Sequence, residues 1–193
     1  CGFDRALEGQ TLASILEARG LPPTVENAAE LALEIVERGG ASGIFHAISE
    51  EDVERILLSP YTMVASDGEI PAFGLGAPHP RSYGTFARVL GVYVREKKLL
   101  SVEEAIRKMT SLPATRLGLG DRGLLRPGMR ADLVLFDADT VRDRATFEKP
   151  HQYAEGVSLV VVNGRVVLDG ERMTGARPGR VLRGPAFVRP RAR

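Results

Sequence analysis

The sequence has little cysteine, no surplus of charge and no long apolar run. Its one cysteine among 193 residues is Cys1, so no intramolecular disulfide can form, and a reducing compartment, the cytoplasm, is the expected location. Twenty-six Lys and Arg against 25 Asp and Glu leave a net charge of +1. Without a field of one sign, neither nucleic acid nor a membrane surface is an expected partner. No apolar stretch approaches the roughly 20 residues that a membrane span needs. Initiator methionine, signal-peptide pattern, internal repeat and low-complexity segment are also missing, and Cys1-Gly2-Phe3-Asp4 reads as though sequence preceded it. The biased stretch is the end, where six arginines fall between Arg177 and Arg193; a solvated terminus is expected there.

What is present is a globular composition, 44% hydrophobic, in a chain long enough to bury a core. Leu12, Ile15 and Leu16 predict a helix from Thr11 to about Arg19, ended by Gly20. Thr24 caps a longer helix in which Ala28, Leu31, Ala32, Ile35 and Val36 share a face, stopped by Gly39-Gly40. Residues 43–48 read as a short strand, Ser49 as the cap of a helix through Leu58, and Tyr61–Ala65 as a second buried strand. Strand, helix, strand in this order favours parallel pairing and an α/β fold. After a Gly- and Pro-rich loop over 68–84, Phe86 to Val94 suggest a helix ending near Lys97-Lys98. Ser101 with Glu104 forms a capping box for Val102–Met109, and Pro113 opens a separate short helix. The period then switches: Ala131–Asp137 and Val157–Asp169 are β-rich, with Asn163-Gly164 as a hairpin turn. Residues from about 120 onward read as a small separate β-unit.

Chemistry concentrates in YTMVASDGEIPAFGLGAPHPRSY, residues 61–83, which carries an acid, an imidazole and a guanidinium just past an apolar run. Asp67 ends the run; Asp-Gly alone signals a turn, whereas a carboxylate at a strand's C-terminal end sits where α/β barrels keep their chemistry. Arg81, taken without any resemblance, reads as a surface ion pair or a loop anchor. His79, extended before Pro80, packs in the loop, contacts substrate or helps to position Asp67. Ser82 and Tyr83 border the same region. His46 reads as a packed or pocket-lining imidazole, or less readily a ligand, and His151 in HQYAEGV as a structural loop residue.

The run AIRKMTSLPATRLGLGDRGLLRPGMRADLVLFD, followed by VVVNGRVVLDG, resembles the end of an amidohydrolase-superfamily enzyme. SDG with HPRSYGTFARVLG, HQYAEGV and TGARPGR narrow the resemblance to the N-acyl-D-amino-acid deacylases, over almost the whole chain. The resemblance implies the C-terminal portion of a TIM-like (β/α)8 barrel over residues 1–119, then strands of a small β-sandwich over 120–193. It implies hydrolysis of the amide of an N-acyl-D-amino acid to a carboxylate and a free D-amino acid. Asp67 matches the acid after the eighth strand that moves a proton from the attacking water to the leaving amine, and Arg81 the residue that pairs with the substrate carboxylate. His79 and Tyr83 would also meet the substrate. His46 stands where such enzymes are expected to carry an apolar residue.

The implied cofactor is Zn²⁺, which lowers the pKa of bound water to about 7 and polarises the carbonyl. Zinc needs three or four ligands, yet the sequence has no His-x-His, and its histidines are scattered at 46, 79 and 151. The ligands are therefore expected in an N-terminal part of the same enzyme, outside this sequence, and the segment alone is expected to be inactive. The alternatives are a segment of a dihydroorotase- or hydantoinase-like cyclic amidase, and a non-catalytic assembly fragment.

Overall fold

The computed structural model describes residues 4–184 and 187; Cys1 and the end of the arginine-rich tail, residues 185, 186 and 188–193, lie outside the described residues. The chain is α/β. A 3-10 turn at Arg5–Leu7 precedes α1 (Leu12–Ala18), α2 (Val25–Glu37), α3 (Glu50–Leu58), α4 (Arg81–Arg88), α5 (Val102–Met109) and α6 (Ser111–Arg116). Strands β1 (Leu133–Phe136), β2 (Val157–Val162), β3 (Arg165–Asp169) and β4 (Arg172–Met173) follow. Among the described residues no helix is long and apolar enough to cross a membrane.

The helices begin where a side chain satisfies the first free N–H groups. Thr11 and Ser14 cap α1 reciprocally, each side chain bonding the other's main-chain N–H. Thr24 accepts from Asn27 N at the start of α2, and Ser49 from Asp52 N at the start of α3. Ser101 likewise accepts from Glu104 N, but the Glu104 carboxylate turns to Arg107 at 2.7 and 2.8 Å, so the expected capping box is half formed. Pro113 sits in the first turn of α6, where its missing N–H costs nothing. Helices α1 and α2 form a hairpin over Ile15, Leu16 and Leu31, with Arg19 and Glu34 paired at 2.6 Å across it.

The expected strands at 43–48 and 61–65 are not formed. A strand needs a ladder on at least one side, and among the described residues neither segment has one. Phe45 and Ile48 stand exposed, and Val64 N instead donates to Lys108 O. Lys108 is fully buried, and its Nζ bonds the carbonyls of Ser59 and Thr62, so α5 grips the segment leading to Asp67. Parallel pairing is likewise not formed; the sheet is antiparallel, in the order β1-β2-β3-β4.

The helix expected from Phe86 begins five residues earlier, at Arg81, and continues beyond α4 as a π-helical segment, Val89–Glu96. Ala87, Val89, Leu90 and Tyr93 from this rod pack with Ala105 and Val141 as the main core, against which Phe136, Ala154 and Val157 also lie. The β2–β3 hairpin turns at Asn163 and Gly164, both in the left-handed region at φ 47° and 75°, as a type I′ turn requires. Asn163 N donates to Asp132 Oδ1 at 2.7 Å, and Arg122 Nη2 to Asn163 Oδ1 at 3.0 Å, which pins the turn to the segment entering β1.

Candidate functional site

Asp67 occupies a tight turn between Lys108's grip and the start of α4. Its φ is 46°, a left-handed conformation that aspartate tolerates better than most residues. Ser66 Oγ accepts from Gly68 N at 3.2 Å and Ser82 Oγ from Glu69 N at 3.2 Å, closing the turn onto the helix. Gly68 is required by that approach: a Cβ there would lie 2.9 Å from Ser82 Cα and 3.2 Å from Arg81 O.

Of the two sequence readings of Asp67, the turn is formed, whereas the strand at whose end it was expected is not. Asp67 is a turn residue, and it is also paired with Arg81. Arg81 Nη2 lies 3.0 Å from Asp67 Oδ2, while Nε donates to Asp67 O at 2.8 Å. The Asp67 side chain remains 86% exposed and that of Arg81 43%. Both charges can therefore be reached from solvent.

His79 caps the helix that carries Arg81: its Nδ1 accepts from Arg81 N at 3.0 Å. Burial, then the positive charge of Arg81, and His46 after it, push this imidazole below the ordinary histidine value, against a smaller opposing pull from Asp67. The neutral form is thus favoured, as an accepting Nδ1 requires. Phe147 joins the group from the far loop, edge-on to His79 at 5.2 Å and to His46 at 4.6 Å. His46 is therefore a packed imidazole, exposed on one side.

Tyr83 lies in a neighbouring cluster. Its hydroxyl meets His151 Nδ1 at 2.8 Å, and Phe73 stacks on Tyr153 with centroids 5.1 Å apart while presenting an edge to Tyr83 and His151. His151 is structural, as read from sequence, but in a specific way: it also meets Gly74 N at 3.1 Å and Gly76 O at 3.0 Å, tying down the loop between Asp67 and Arg81. A cleft of about 510 Å³ opens beside it, lined among others by Glu8, Gly76, Phe147, Lys149 and Gln152. A second, of about 380 Å³, lies against α5 near Leu124 and Leu125. Asp67 and Arg81 line neither, and stand on an open face.

Phe147 and the bonds of His151 are what sequence reasoning missed. The only signal was three rings, Phe147, His151 and Tyr153, within seven residues of an otherwise irregular loop. Among the described residues no three His, Cys, Asp or Glu side chains come together as a metal ion would need. The residues present therefore do not supply a zinc site, and they offer an acid, a guanidinium and a neutral imidazole as chemistry.

The Amidohydrolase family profile matches residues 17–168. An N-acyl-D-aspartate deacylase of Alcaligenes xylosoxydans xylosoxydans is 47% identical over 190 residues, covering 93% of this chain and 37% of its own. A D-aminoacylase variant solved with copper chloride superposes with a TM-score of 0.78 at 41% identity, over 90% of this chain and 34% of that one. The N-acyl-D-glutamate deacylase of Bordetella bronchiseptica, solved with zinc and a phosphonate mimic of the tetrahedral intermediate, gives 0.75 at 40% identity, over 91% and 34%. The chain thus spans about a third of the length of these relatives.

Proposed function

Since the chain belongs to the amidohydrolase family, we propose that it supplies the proton-transfer acid and the carboxylate-binding arginine of a hydrolase acting on N-acyl-D-amino acids. The observation that carries this reading is the contact of Arg81 with Asp67 at 3.0 Å, with both groups open to solvent. It puts a carboxylate able to move a proton beside a guanidinium able to hold a substrate's carboxylate. Asp67 takes a proton from the attacking water and returns it to the leaving nitrogen, so the products are the acyl carboxylate and the free D-amino acid. Arg81 orients the substrate by its carboxylate, and His79 holds Arg81 at the first turn of α4.

Zinc, if held, would be bound by residues other than those described in this chain, and would supply a water acidic enough to attack at neutral pH. The missing ligands and the open face around Asp67 are consistent with the rest of a (β/α)8 barrel packing over residues 1–119. Residues 120–193 would belong to a small β-sandwich, and the whole enzyme to the cytoplasm. A cyclic amidase is the weaker reading, because the relative matched over 93% of the chain is a deacylase.

The test is release of free amine from matched N-acetyl-D- and N-acetyl-L-amino acids by the full-length protein. Turnover of the D series alone supports the reading. Turnover of dihydroorotate or a hydantoin with neither series cleaved overturns it.

A further inference from the structure

His151 Nδ1 faces Gly74 N at 3.1 Å and the Tyr83 hydroxyl at 2.8 Å, while Nε2 faces Gly76 O at 3.0 Å. A main-chain N–H can only donate and a main-chain carbonyl can only accept. The two backbone contacts therefore fix the tautomer: the proton is on Nε2 and the lone pair on Nδ1. The Tyr83 hydroxyl must then give its own hydrogen to Nδ1, which leaves its oxygen able to accept and unable to donate.

We propose that His151 is a positioning residue that pins the loop between Asp67 and Arg81 and makes Tyr83 an acceptor-only contact, selecting a hydrogen-bond donor on the substrate. This rests on the deacylase reading and deepens it. An N-acyl amino acid with an aliphatic or acidic side chain carries one donor at neutral pH, its amide N–H. Its carboxylate and acyl oxygen only accept, and Tyr83 in this state has nothing to give them. Phe73, stacked on Tyr153, also meets Tyr83 and His151 in T-shaped contacts, and with Phe73 57% and Tyr153 69% exposed the cluster lies open to solvent.

The experiment compares, in the full-length protein, an N-acetyl-D-amino acid with the O-acetyl ester of the matching D-2-hydroxy acid, which has oxygen in place of N–H. His151→Leu and Tyr83→Phe should each lower kcat/KM on the amide by ~10-fold, the size of one well-formed hydrogen bond, and by at least ~5-fold more than on the ester. The double variant should lose no more than either single one. His151→Asn, whose Oδ1 can stand in for Nδ1, should recover most of the loss. Equal losses on amide and ester, no loss on the amide, or an Asn variant no better than Leu would overturn the assignment. The nitrogen-15 imidazole spectrum of the unmodified protein needs no turnover, and should show Nε2 protonated. A protonated Nδ1 overturns the positioning role even if the deacylase activity is present. Absence of that activity with Nε2 protonated refutes the selection of an amide donor and locates the failure in the deacylase reading.

Discussion

Arg81 holds Asp67 twice, through Nε to its backbone carbonyl at 2.8 Å and through Nη2 to its carboxylate at 3.0 Å. Because both side chains are largely solvated, the ion pair itself contributes only about 0–1 kcal/mol to stability. Its consequence is geometric. A rigid planar fork on the first turn of α4 sets the direction of a carboxylate that the preceding turn would otherwise leave free to rotate.

Asp67→Asn in the full-length enzyme keeps the size and the turn conformation but removes the proton acceptor. It should lower kcat by ~10²-fold or more while changing KM little. Steady-state kinetics decide it, and near-normal turnover would remove Asp67 from the reaction.

Arg81→Ala should raise KM by ~10- to 100-fold for substrates with a free carboxylate, the worth of a charge-assisted bidentate contact. Substrates whose carboxylate is amidated should be affected much less. Equal effects on the two series would assign Arg81 only the task of holding Asp67.

His79 gives stability a pH dependence of defined sign. Its folded form resists protonation, whereas the unfolded chain's imidazole takes up a proton in the ordinary range. Its contribution is therefore complete above the ordinary histidine range and is lost as pH falls through and below that range. Calorimetric unfolding should show Tm declining across that window, and His79→Asn, which keeps an acceptor for Arg81 N but does not titrate, should flatten the decline. An identical slope in the variant would place the effect elsewhere.

Gly164→Val tests the hairpin. A β-branched residue at φ 75° should cost about 1–3 kcal/mol, read as a lower Tm with the β-sheet signal lost first. An unchanged Tm would mean that the turn relaxes into another type at no cost.

Much of the helical framework was legible because its causes are local. Thr11, Thr24, Ser49 and Ser101 each accept from an N–H three residues on, so the accepting side chain and the donor it satisfies lie within one turn of sequence. Asn163-Gly164 was legible for the same reason, since a positive φ at two consecutive positions selects those residues. The strands at 43–48 and 61–65 were misread because an apolar run states only that a segment wants burial, not which neighbour completes its ladder. The start of α4 was missed because Pro80 and Gly84 punctuate it; His79, not a Ser or Asp, provides its cap.

Taken alone, the amino-acid sequence determined the α/β character, the capped helices, the hairpin and the identity of the chemically capable residues. Each depends on interactions spanning a few residues, which chain stiffness and side-chain type control directly. Only the tertiary structure decided that Arg81 reaches back 14 residues to Asp67, that Phe147 gathers His46 and His79, and that His151 meets Tyr83 across 68 residues. Those contacts require loops to close and rings to pack, and which loop meets which is set by the shared core around Val141 rather than by any motif along the chain.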